Sequence, residues 1–102
     1  MGVKGETEKG FMAVVVQFAK LNGWLVYHTY DSRKSEAGFP DLVMVRSGVL
    51  IFAELKLEGK DTTVDQRHWL KELKSCVVST EELKVFVWFP SDWPEIQRTL
   101  QR

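Results

Sequence analysis

Cysteine is nearly missing from this 102-residue chain. Cys76 stands alone, which excludes an intrachain disulfide and fits a reducing compartment. Its "SCVV" setting points to a small buried hydrophobe rather than a nucleophile. Histidine is scarce as well, with His28 and His68 the only two, and no Cys/His cluster of the kind that holds zinc. No apolar run approaches the ~20 residues that span a bilayer. The opening "MGVKGETEKG" lacks the apolar stretch of a secretory signal, and Glu6 sits where a myristoylation signal needs Ser or Thr. These absences predict a cytoplasmic protein that stays off the membrane. An excess of charge is also absent, because 14 Lys and Arg balance 14 Asp and Glu. Composition therefore does not announce a nucleic-acid binder, nor does it exclude one, since an acidic catalytic pocket can offset a basic binding face.

What is present predicts one α/β domain over residues 1–102, with residues 1–6 as a flexible lead. Phe11, Val14, Val15, Phe18 and Leu21 recur at helical spacing, with Thr7 as N-cap and Asn22-Gly23 as the stop. "WLVYHTY" alternates and reads as a strand. The polar loop "DSRKSEAGFP" then leads to two apolar runs, 41–46 and 49–57, separated by Ser47-Gly48, the signature of a hairpin. "VDQRHWLKELK" carries its apolar residues at helical spacing. "LKVFVWF" reads as a further strand. "SDWPEIQRTLQR" opens with Asp92 and Glu95 at capping-box spacing and Pro94 in the first turn, which predicts a last helix. The order α-β-β-β-α-β-α implies a central mixed β-sheet flanked by helices, because the strand after the second helix can return parallel to its neighbour.

Two acids stand among the apolar residues of the hairpin. If Ser47 and Gly48 form a two-residue turn, residues whose numbers sum to 95 lie opposite each other, so Asp41 faces Glu54. Alternation puts Asp41, Val43, Val45, Leu50, Phe52, Glu54 and Lys56 on one face, and Leu42, Met44, Ile51, Ala53 and Leu55 on the other. Both faces are apolar, so the hairpin is expected to be covered on both sides, with the acids desolvated at its end. Two charges ~5 Å apart at an effective dielectric of about 20 repel by roughly 3 kcal/mol. A retained proton, the Lys56 ammonium or a bound divalent ion would each offset that. Hard oxygen ligands suit Mg²⁺ or Mn²⁺. The plain alternative is that these are strand-end charges reaching solvent.

Pro40-Asp41, followed after twelve residues by Glu54-Leu55-Lys56, resembles the PD-(D/E)xK nuclease motif. Along nearly its full length, from "TEKGFMAVVVQFAKLNGWLVYHTYDSRKSEAGFPDLVMVR" through "FAELKLEGKDTTVDQRHWLKEL" to "VFVWFPSDWPEI", the chain resembles a stand-alone VRR-Nuc domain of that superfamily. The resemblance implies a restriction-endonuclease-like core and a metal-dependent DNA endonuclease, structure-selective for four-way junctions or other branched DNA, acting as a homodimer. It implies Asp41 and Glu54 as Mg²⁺ or Mn²⁺ ligands, with the Leu55 carbonyl as a third. Glu8 matches an early acidic position that also serves the metal. Lys56 would activate water and stabilise phosphate charge, and Gln66 matches a site motif on the following helix. The stretch "LEGKDTTVDQ" departs from the family in lacking a Ser-Pro turn. A module that keeps the fold and binds nucleic acid without cutting is the alternative from another class.

The remaining candidates carry competing roles. Gln66 follows Thr63 at capping-box spacing, so it serves a helix cap as readily as a site. Glu8 also suits the first turn of a helix through the macrodipole. Arg33 and Lys34 in the polar loop, and Lys60 and Arg67 near the metal end of the sheet, are expected to hold DNA phosphates, or else to be a solvated basic surface. His28 and His68 are expected to be structural. Tyr27, Tyr30 and Trp24 are expected in the core rather than stacked on bases. Trp88, Phe89 and Trp93 form an aromatic cluster that self-association would cover.

Overall fold

A computed structural model describes residues 7–29, 34–76 and 82–102. Residues 1–6, expected to be a flexible lead, and Tyr30 and the candidate Arg33 lie outside the described residues. The elements follow the expected order: α1 (Glu8–Leu21), β1 (Leu25–His28), β2 (Leu42–Arg46), β3 (Val49–Leu55), α2 (Val64–Ser75), β4 (Leu83–Trp88) and α3 (Trp93–Gln101). The four strands form one mixed sheet in the order β1-β2-β3-β4. β2 pairs antiparallel with β1 on one side and β3 on the other, and β4 joins β3 in parallel. That parallel pairing requires a crossover, and α2 supplies it. No helix among the described residues is long and apolar enough to cross a membrane.

Local signals explain most boundaries. The Thr7 hydroxyl accepts from Gly10 N at 3.0 Å and starts α1, and Gly23 at φ +87° ends it. Ser47 at φ 49° and Gly48 at φ 83° give the two positive φ values that match a tight hairpin to the twist of its strands. α3 begins differently from expectation. A 3₁₀ turn over Pro90–Asp92 precedes it, and the Asp92 carboxylate reaches back to accept from Phe89 N at 2.9 Å rather than capping forward to Glu95. Glu95 instead pairs with Arg98 at 2.7 Å.

The core lies between one face of the sheet and two helices. Leu42, Met44, Ile51, Ala53 and Leu55 pack with Phe11, Val15 and Ala19 of α1 and with Ile96 and Leu100 of α3, and all are buried. Trp24 closes the end of this layer. Its Nε1 donates to the Leu100 carbonyl at 2.8 Å, and the Arg46 guanidinium lies 4.6 Å over its ring while donating to the carbonyls of Asn22 and Leu100. One cation thus satisfies backbone acceptors at the ends of two helices.

The opposite face is covered only in part. α2 reaches it through Trp69, whose ring meets Phe39 edge-on at 5.1 Å, and Phe39 in turn meets Phe52. Toward β1 this face is open, with Leu25 73%, Tyr27 62% and Val45 39% exposed. The expectation of full cover on both sides, and of Tyr27 in the core, is corrected by that opening: one 12-residue helix is too narrow to roof four strands. The Trp88–Phe89–Trp93 cluster is not a surface patch. Trp88 is buried and Trp93 packs edge-on against Phe18 at 5.3 Å. Cys76, expected to be buried, is exposed at the C-terminal end of α2, its Sγ 3.6 Å from the Glu72 carbonyl.

Candidate active site

The hairpin register delivers the acids to each other. β2 and β3 pair from Arg46↔Val49 to Leu42↔Ala53, every pair summing to 95. Asp41 stands one residue before that ladder, beside Glu54. Its Oδ2 accepts from Leu55 N at 2.8 Å, which fixes the carboxylate against the end of β3. Pro40, fully buried, fixes the chain immediately before it. Glu54 is 2% exposed, and its Oε1 has no hydrogen-bond partner among the described residues. Lys56 Nζ lies 3.8 Å from the other oxygen, Oε2.

The electrostatics follow from that burial. Desolvation raises the Glu54 carboxyl to about 8; the neighbouring Asp41 charge adds to the shift and Lys56 opposes it. Asp41 is raised as well, first by burial and further by the charge of Glu8, against the lowering effects of the Leu55 N–H, the Glu54 carboxyl and Lys56. Near neutral pH the pair therefore holds a proton, and that proton relieves the repulsion of opposed carboxylates in the cation-free protein.

Asp41 also faces a cavity of about 650 Å³ between the N-terminal half of α1 and the end of the sheet, with Glu8 on its α1 wall. Three acids from three elements thus surround one end of the hairpin. A divalent ion fits this donor set, since the carboxylates are hard ligands and an ion would take the place of the proton that the pair holds. Among the described residues no three His, Cys, Asp or Glu side chains converge closely enough to hold an ion by themselves. A shell completed by a backbone carbonyl such as that of Leu55, and by water, is the form that Mg²⁺ favours.

The other candidates do not line the cavity. The Gln66 side chain is engaged in a capping box, its Oε1 accepting from Thr63 N at 2.8 Å while Thr63 accepts from Gln66 N. Arg67 donates to the Thr62 carbonyl and lies 3.9 Å from Asp61 on the exposed start of α2. Lys34 and Lys60 are exposed, and neither lines the cavity. Two residues that sequence patterning assigned no site role do line it, His28 and Thr29 at the end of β1, together with Lys9 beside Glu8. Only the spacing of Lys9, one turn before Met12 and Ala13 on the same stripe, hints at this in the sequence.

No protein-family model, curated protein or solved structure matches the chain.

Proposed function

We propose that this protein is a Mg²⁺- or Mn²⁺-dependent endonuclease of the VRR-Nuc type that hydrolyses phosphodiester bonds in DNA, branched DNA above all. The observation that carries the reading is the buried, unpartnered Oε1 of Glu54 beside Asp41, with an ammonium 3.8 Å from the same carboxyl group. Asp41 and Glu54 would hold the ion, with the Leu55 carbonyl as a further ligand and Glu8 facing it across the cavity. Such an ion, when bound, neutralises the phosphodiester, lowers the pKa of attacking water and braces the leaving oxygen.

The side chains divide the remaining work. Asp41 is oriented before any ligand arrives, because the Leu55 N–H fixes one of its oxygens. Lys56 stands beside the acids as a compact cation where negative charge gathers in the transition state. Burial strengthens both effects, since charges act over a lower dielectric at the covered end of the sheet. Homodimerisation would bring two such sites to a branched substrate, one for each strand.

The test is cleavage of a four-way junction, a flap and a plain duplex in the presence of Mg²⁺, Mn²⁺ or EDTA. Cutting is expected with either ion and not with EDTA, and Asp41→Ala and Lys56→Ala are each expected to lose at least ~100-fold in rate. Binding of DNA by the wild type without cutting on any substrate would leave a nucleic-acid-binding module as the function.

A further inference from the structure

Glu8 and Asp41 face each other across the 650 Å³ cavity, and the other residues that line it have a chemistry of their own. Lys9, Met12 and Ala13 share one stripe of α1 and face the cavity from one side. His28 and Thr29 face it from the sheet. They are held level with the acids by backbone pairing: His28 sits opposite Leu42 in the β1–β2 ladder, and Thr29 N donates to the Asp41 carbonyl at 3.1 Å. The α1 wall is regular helix, and on the other wall the β1–β2 pairing and the Thr29–Asp41 hydrogen bond keep the backbone in place. Among the described residues, no carboxylate lies within ion-pairing distance of Lys9.

Lys9 offers a cation, His28 an imidazole and Thr29 a hydroxyl, three groups able to donate to phosphate oxygens. Met12 and Ala13 offer an apolar surface beside them. A concave site of a few hundred Å³, mostly apolar with a few convergent polar groups, is the size and character that encloses a small molecule. A nucleotide fits such a space, whereas a stacked duplex does not, and a base enters only after leaving its stack.

Resting on the nuclease reading above, we infer that Lys9, His28 and Thr29 position the nucleotide adjoining the scissile phosphate, drawn out of its stack into the cavity beside Asp41. Lys9 and Thr29 hold its phosphate, and Met12 and Ala13 pack against its sugar and base. DNA with an unpaired or weakly stacked nucleotide at the cut then enters most readily, because less stacking is lost.

Steady-state cleavage and equilibrium binding test this with the full chain and a branched DNA carrying 2-aminopurine next to the cut, Ca²⁺ replacing Mg²⁺ in the binding arm to hold back hydrolysis. On binding to the wild type the 2-aminopurine is expected to brighten. Lys9→Ala should lower the slope of log Kd against log salt by about 0.7 to 0.9, the contribution of one phosphate contact. Lys9→Arg should restore that slope. The isosteric Thr29→Val should raise KM several-fold more than it lowers kcat, with a melting temperature near that of the wild type. A wild type that cuts without brightening, or variants with unchanged KM and salt slope, would overturn the positioning role and leave the nuclease reading standing. A wild type that neither binds nor cuts would remove both.

Discussion

At the scale of single residues, Glu54 makes the protein's stability depend on pH in an uncommon direction for a carboxyl. Its folded value of about 8 lies above the ordinary 4.5, so the folded state holds the proton more tightly than the unfolded one. The resulting stabilisation is complete below 4.5 and is lost as pH rises through about 8, and the upward shift of Asp41 acts with the same sign. In EDTA the melting temperature should fall between pH 5 and pH 9 by an amount that Glu54→Gln largely abolishes; a flat wild-type profile would contradict the burial argument. If the proposed Mg²⁺ binds, it needs the ionised form, so its stabilising effect should grow over the same interval, with proton release measurable in weakly buffered titrations. Removing the Lys56 cation should move the midpoint of that dependence to higher pH, because Lys56 holds the Glu54 value down.

At the scale of elements, the loop before Asp41 is fastened to α2 at one glycine. Gly38 has φ +91°, and a Cβ there would lie 2.5 Å from the backbone carbonyl carbon of Asp65, while Trp69 Nε1 donates to the Ala37 carbonyl next door. Gly38→Ala should cost about 2 kcal/mol or more in urea denaturation, from positive φ and overlap together. Ser47→Asn, by contrast, suits the positive φ of the hairpin turn and should stabilise by about 0.5 kcal/mol. The same contrast governs what could be read in advance. The hairpin was legible because a two-residue turn fixes its register, and with it the meeting of Asp41 and Glu54. The β1–β2 pairing was not, since 13 residues, 29–41, separate the strands. Hence the level of His28 and Thr29 beside Asp41 could not be counted off. The exposure of Tyr27 was hidden for a different reason: β1 is apolar on both faces, so alternation cannot say which face is roofed. Asp92 misled because its carboxylate can satisfy an N–H on either side, and the preceding Pro90 favoured the turn behind it.

At the scale of the whole molecule, covered and open surfaces are divided unevenly. Leu25, Tyr27 and Val45 form an exposed apolar group toward the β1 edge, and the Trp88–Trp93 region does not. If the proposed homodimer forms, Leu25→Lys with Tyr27→Lys should lower its association measured by sedimentation, whereas a change at buried Trp88 should act on stability first. The turn at Ser47-Gly48 works at this scale as well, although it lies at the far end of the hairpin from the acids. Every step of the ladder is counted from it, and a slip of one residue that kept a two-residue turn would bring Ala53 or Leu55 opposite Asp41 and turn the core face of the hairpin outward. The meeting of the two acids is thus governed by turn geometry at the opposite end of the hairpin, several residues from either carboxyl.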